Sequence, residues 1–295
     1  MAVYLAKSID YNTQYNSVVF IPDSEADDIS DNSLSLLDEL CTEVIRGKTT
    51  ISDYGQSAKL DAFAAAANRY DPPYILVDTD VLVFDSLHIQ FDTADVFAKP
   101  VDIGAQYWGS NAAISDWREI YASHGLEFPN IRTKSTVDGR QILPYYNAGV
   151  VATSHREIPR RWVELTESVF PQIHQPFYAD QVSLAMIMSE FDHSELGEQE
   201  NYPASVRLFF DSDISILHYH HWDTLYRAKF SRYGKALKEI GVTESFPQSK
   251  TEQLEQYAKS TKRVFDYRAK RPARRKLINC LPPNTVDRLR KWKQN

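Results

Sequence analysis

Tyr74-Ile75-Leu76-Val77-Asp78-Thr79-Asp80-Val81 sets an unbroken apolar run directly before two carboxylates one residue apart. A continuous apolar run of this length is expected of a strand covered on both faces, as in the parallel sheet of an α/β protein. Ligands of open α/β sheets bind outside the carboxyl ends of such strands, so Asp78 and Asp80 stand where chemistry is expected. Two carboxylates alone fit a solvated turn equally well; the apolar run in front of them is what favours a site. A divalent cation held by oxygen ligands there would neutralise charge on a departing phosphate.

Outward from this stretch, strand and helix alternate. Upstream, Ser17 to Pro22 reads as a short buried strand. Asn32 to Ile45 reads as a helix with Leu34, Leu37, Leu40, Cys41 and Val44 at helical spacing behind a cap at Asp31 or Asn32. Thr49-Thr50-Ile51 is β-like, and the Ala-rich segment Ala58 to Asn68 is a helix stopped by Asp71-Pro72-Pro73. Downstream, Asp102 to Ala105 and Asn147 to Ala152 read as strands. Pro159 to Phe170 and Ala179 to Phe191 read as helices, the second with Val182, Ala185, Met186 and Ser189 on one face. A last strand, Ile214 to Leu217, runs into His218-Tyr219-His220-His221-Trp222. The pattern predicts a sheet covered by helices, and the absence of repeats argues against a solenoid.

At 295 residues, with 43% hydrophobic and 25% charged residues, the chain has the composition of an ordinary globular protein. No apolar stretch reaches the length of a membrane-spanning helix, and Met1 to Asp10 lacks a secretory signal, so cytoplasmic residence is expected. Cys41 and Cys280 are far apart and without metal-type spacing, which predicts reduced thiols. The net charge of −7 divides unevenly: from Lys259 onward there are 13 Lys and Arg against two Asp, a net +11, leaving −18 for the rest. An acidic body repels nucleic acid, and only the basic end has an anionic partner to seek.

An apolar strand ending in Asp-x-Asp also opens the haloacid-dehalogenase-type phosphatases, where Asp78 would be the nucleophile. In them Gly-Thr normally follows the second Asp and the motif lies near the N-terminus, whereas Val81-Leu82-Val83 follow here, behind a long stretch of strand and helix. The ordered set of motifs instead resembles the glycosyltransferases of the GT-A fold, particularly the retaining, family 8-like enzymes, over roughly residues 17–233. Lys59 matches the basic residue such enzymes direct at the donor diphosphate or sugar. Asp78, Thr79 and Asp80 match their metal- and donor-binding motif. Tyr146-Asn147-Ala148-Gly149-Val150 looks like the segment whose Asn lies near the transferred sugar, Asp180-Gln181 like the pair beside the reaction centre, and His218 like the late metal ligand.

Read without the resemblance, Lys59 is an exposed helix lysine, Asn147 and Gly149 shape a bulge, and Asp180 caps the helix after it. Strand alternation puts His218 and His220 on one face, so both compete for a metal. The resemblance implies a mixed, mostly parallel central sheet in a catalytic domain over residues 1–233, and a helical, basic extension over 234–295. It implies hexosyl transfer from a nucleoside-diphosphate sugar, UDP-linked, to a glycan, glycolipid or protein hydroxyl, with Mn2+ or Mg2+ as cofactor. A catalytically silent nucleotide-sugar-binding module would keep the same pocket. Two departures stand out: Val3 to Ile9 reads as the family's first helix, so the opening base-binding strand is absent or very short, and His221-Trp222-Asp223 replaces the late Gly and Lys-Pro-Trp loop. Aromatic and aliphatic residues from Phe265 to Trp292 interleave with Arg274, Arg275, Lys276 and Arg288 to Lys293, a mixture suited to an anionic headgroup layer at the inner membrane face and equally to a solvated helix partly paired with the acidic body.

Overall fold

The computed structural model describes residues 1–104, 112–210 and 212–266. The elements in chain order are α1 (Ala2–Asn12), β1 (Val18–Pro22), α2 (Asp31–Leu40), β2 (Glu43–Gly47), α3 (Ser57–Arg69), β3 (Tyr74–Val77), β4 (Val81–Val83), β5 (Val96–Pro100) and α4 (Ile114–Ser123). The chain continues through β6 (Thr133–Lys134), β7 (Gln141–Ile142), β8 (Tyr146–Thr153), α5 (Glu157–Val169), α6 (Ala179–Glu190), β9 (His193–Glu195), β10 (Tyr202–Pro203) and β11 (Ile216–His218). It ends in α7 (Leu225–Lys229), α8 (Gly234–Glu239) and α9 (Lys250–Phe265).

The α/β class holds, but the sheet is not one mostly parallel sheet. Strand pairing is fragmented into β1-β2, β10-β11-β4, β3-β8-β5-β9 and β6-β7. β3 lies antiparallel to β8 at the edge of its sheet, with Tyr74 and Leu76 buried and Ile75 and Val77 half-buried, so its apolar run does not mark a central parallel strand. The chain leaves this four-stranded sheet at Val77 and enters the three-stranded one at Val81. Asp78-Thr79-Asp80 therefore spans the seam between two sheets. Backbone bonds tie each side of the seam down: Asp78 N donates to Gly149 O on β8 at 2.9 Å, and Tyr219 N, just past β11, donates to Asp80 O at 3.0 Å.

Other elements depart from the sequence reading for local reasons. α2 stops at Leu40, and Val44 and Ile45 instead pair in β2 with Val19 and Phe20, a setting β-branched side chains favour. Its cap is Ser30, whose hydroxyl accepts from Ser33 N at 3.2 Å, rather than Asp31 or Asn32. Thr50 and Ile51 form no strand; their N–H groups donate to Asp61 and to Ser57 Oγ on α3. The strand expected at Asp102 lies earlier, at β5, and a register shift between Ala98 and Pro100 ends it. Lys99 and Asp102 form a fully buried ion pair there; Ala105 falls outside the described residues. β11 starts at Ile216, two residues later than expected.

α6 is buried from Ala179 through Met188 except at Gln181, while Ser189 is exposed, so it is enclosed nearly all round rather than on one face. It packs beside α5, which packs on α3. Trp162 on α5 is fully buried where they meet, edge-on to Phe63, and its Nε1 donates to Asp180 O at 2.9 Å and Ser183 Oγ at 3.1 Å. α1 covers an edge of β4: Ser8 Oγ accepts from Val83 N, and Asn12 Nδ2 donates to Val83 O. α9 is tied to α7 by Arg227 to Ser260 at 2.7 Å and Lys229 to Gln253 at 2.8 Å. No helix among the described residues is long and apolar enough to cross a membrane. The tail residues from Tyr267 to Trp292, with Cys280, lie outside the described residues.

Trp162→Phe keeps most of this apolar burial and removes the indole donor from the Asp180 carbonyl. It is expected to lower unfolding stability by about 1–3 kcal/mol, measured by urea denaturation. Stability equal to the wild type would mean that the donor contributes nothing.

Candidate active site

The seam gathers side chains from five separated segments. Asp78 and Asp80 flank the turn between β3 and β4, and β11 pairs antiparallel with β4 so that His218 sits opposite Val81. Ligand atoms of Asp78, Asp80 and His218 lie within 4.8 Å of one another, a group that could hold a metal ion. His218 Nε2 is 3.2 Å from Asp80 Oδ1. Two carboxylates and an imidazole form a donor set that fits a divalent metal ion. His220 does not join the trio. β11 ends at His218, and His220 takes a left-handed backbone (φ 52°), an uncommon state for a residue with a Cβ, with its ring stacked on His218 at 3.8 Å. The shared side expected of the two rings is thus met by stacking. Burial, and then the neighbouring His218, lower the His220 pKa to about 3.

Lys59 projects from α3, whose Ala-rich sequence makes it a helix. It is no surface lysine: its Nζ lies 2.7 Å from Asp180 Oδ2, 3.2 Å from Asp78 Oδ1 and 3.3 Å from Ala148 O. Burial opposes the Lys59 charge, but Asp180 and Asp78 outweigh it and raise its pKa above the ordinary lysine range. Burial raises the Asp78 pKa, against the pull of Lys59 and His218. Burial acts on Asp80 in the same sense, yet His218 overrides it and holds the carboxyl well below the usual range.

Asp180 opens α6 and is buried, but its carboxylate caps no helix N–H; it is held by Lys59 and by the Tyr54 hydroxyl at 2.8 Å. Burial, then Asp180, push the Tyr54 pKa far up, so the hydroxyl stays a neutral donor. Gln181 is half-buried, and its Oε1 is enclosed without a protein partner among the described residues. Asn147 and Gly149 lie on β8, with Gly149 N donating to Asn147 Oδ1 at 2.8 Å. Thr79 is exposed at the turn, its carbonyl accepting from Tyr219 OH at 3.4 Å. Two residues escaped the sequence reading: Tyr54, in a loop before α3, and Asn201, fully buried against Asn147 and His218. Neither sits in a periodic segment, so no pattern marked them.

Gly149 is required by space. A Cβ there would stand 2.3 Å from His218 Cε1. Gly149→Ala is expected to cost about 1–3 kcal/mol by overpacking and to displace the His218 ring from Asp80. Urea denaturation and Mn2+ titration read both effects; unchanged values would mean that the ring has room to move.

The model of the Rhodobacterales glycosyltransferase domain family matches residues 1–192, a span that holds Lys59, Asp78, Asp80, Asn147, Asp180 and Gln181 and ends before Asn201 and His218. Among solved structures the chain is similar to the glycosyltransferase GlyE of Streptococcus pneumoniae TIGR4, with 17% identity, a TM-score of 0.46, and coverage of 88% of this chain and 61% of GlyE. It is also similar to mouse xyloside xylosyltransferase 1 in its apo form, with 13% identity, a TM-score of 0.42, and coverage of 74% of this chain and 90% of that one. The chain thus spans about three-fifths of the length of GlyE. No curated protein matches it. The match covers residues 1–192, about two thirds of the sequence: the chain belongs to the Rhodobacterales glycosyltransferase domain family, not to the haloacid-dehalogenase-type phosphatases.

Proposed function

We propose that the chain transfers a hexose from a nucleoside-diphosphate sugar, with UDP as the nucleotide, to a hydroxyl on a glycan, glycolipid or protein, and that the anomeric configuration is retained. The observation that supports this most is the placement of the Lys59 ammonium between Asp78 and Asp180, at 3.2 and 2.7 Å, beside a trio able to hold a divalent cation. Asp78, Asp80 and His218 would hold Mn2+, or Mg2+ in its place. The bound ion would supply Lewis-acid neutralisation of charge on the departing diphosphate.

The remaining steps belong to the chain's own groups. Lys59 places a fixed positive charge where the leaving group accumulates negative charge. Asp180 is paired with Lys59 and oriented by Tyr54, so it can accept a hydrogen bond from a sugar hydroxyl without reorganising. Gln181 offers a carbonyl oxygen that no described protein group uses. Asn147, whose oxygen is engaged by Gly149, keeps its amide hydrogens for the donor sugar, and Gly149 and Thr79 line the donor side where backbone approach is close. On this reading residues 1–233 form the catalytic domain and 234–295 a helical, basic extension. The +11 charge from Lys259 onward would meet an anionic membrane surface on the cytoplasmic side.

The test is hydrolysis and binding of a panel of UDP-, GDP- and other nucleotide-linked sugars by the full chain, with Mn2+ or with EDTA. Turnover is expected with Mn2+ and not with EDTA, and Asp80→Ala should abolish the Mn2+-dependent turnover. Lys59→Met is expected to reduce kcat/KM by about 100-fold, with Lys59→Arg recovering part of it. Failure to bind any donor in the presence of metal would sink the transferase reading; binding without turnover would leave a nucleotide-sugar-binding module.

A further inference from the structure

Asn201 is fully buried and ends a short 3-10 turn immediately before β10. β10 runs parallel to β11 with Tyr202 opposite Leu217 and Pro203 opposite His218, which brings the Asn201 amide to the His218 ring. Both of its amide atoms are engaged: Nδ2 donates to Asn147 Oδ1 at 3.0 Å, and Oδ1 lies 3.1 Å from His218 Nδ1.

The direction of this chain of hydrogen bonds is fixed from one end. The backbone N–H of Gly149 can only donate, and it donates to Asn147 Oδ1. Asn147 therefore presents its oxygen to Asn201, and Asn201 must answer with its NH2 group. A side-chain amide showing NH2 on one side shows its carbonyl on the other, and that carbonyl can only accept. His218 Nδ1 must then carry the hydrogen, and in a neutral imidazole Nε2 is left with a lone pair. Nε2 faces Asp80 Oδ1 at 3.2 Å. A proton on Nε2 would donate to that carboxylate, and a cation bound to both atoms would take the proton's place.

We propose that Asn201, backed by Asn147, is a positioning residue that holds a His218 hydrogen on Nδ1 and so leaves Nε2 as the ring atom that faces a divalent cation shared with Asp78 and Asp80. The inference rests on reading that trio as a metal site. Histidine ligands commonly donate their second N–H to a carboxylate or carbonyl, which fixes ring and tautomer. Here a buried amide performs that task, and the family match at residues 1–192 stops short of it.

The test uses the full chain, metal-free, with nitrogen-15-labelled histidine, at about pH 9, where an ordinary imidazole is neutral. Long-range proton–nitrogen correlation reports the tautomer, and the His218 signal is assigned by its loss in His218→Gln. The wild type is expected to carry the hydrogen on Nδ1. Asn201→Leu should mix the tautomers and weaken Mn2+ binding, followed by electron paramagnetic resonance, by about 10- to 100-fold. Asn201→Asp, which keeps an acceptor opposite Nδ1 but loses the donor to Asn147, should retain the tautomer. A hydrogen on Nε2 in the wild type, or an Asn201→Leu protein with unchanged tautomer and Mn2+ affinity, would overturn the proposal. If Asn201→Leu does not fold, the wild-type spectrum and Asn201→Asp still decide. Nδ1–H in a wild type that binds no Mn2+ would support the hydrogen-bond relay and overturn the metal reading, so the two failures are told apart.

Discussion

The site depends on one shared ammonium. Asp78 and Asp180 come from segments a hundred residues apart, and both carboxylates reach the same Lys59 Nζ. Without it, two enclosed like charges would face each other, and one would have to protonate or the elements carrying them would have to separate. Lys59 thus pins the start of α6, the end of β3 and the first turn of α3 to a common point. Burial works against every charge in the group, so the arrangement persists only because each is paired. The same enclosure strengthens any field the lysine directs at a bound anion.

The second constraint is the seam. Because β3 and β4 belong to different sheets, the residues between them pass from one ladder to the other, tied by Asp78 to β8 and by Asp80 to Tyr219, and turn two carboxylates toward the same point. Gly149 then allows the two sheets to approach: its missing Cβ is the space in which the His218 ring lies. From this close contact follow the hydrogen bonds of Asn147, Asn201 and His218, which cross from one sheet to the other. The three candidate ligands and the two amides are therefore one packed unit.

What the sequence made legible was local. The apolar run with its two Asp residues, the Ala-rich α3 and the helices α5 and α6 are each marked by neighbours in the chain, and they form where the pattern places them. Strand pairing was not legible, since four apolar residues look alike in a parallel core strand and in the antiparallel edge strand that β3 is. β5 was hidden because Val96-Phe97-Ala98 runs into Lys99 and Pro100, residue types that argue against a buried strand; Lys99 is nonetheless fully enclosed with Asp102. Tyr54 and Asn201 could not be found either. Each is a single polar residue in irregular chain, given its place by contacts with residues far away in sequence.

The most direct measurement is the anomalous diffraction of a crystal of the full chain soaked with Mn2+. The account predicts one strong manganese peak bounded by Asp78, Asp80 and His218 Nε2, with Lys59 still joined to Asp180. A peak held by other residues, or none at saturating Mn2+, would contradict the claim that this trio is the metal centre of a glycosyl transfer site.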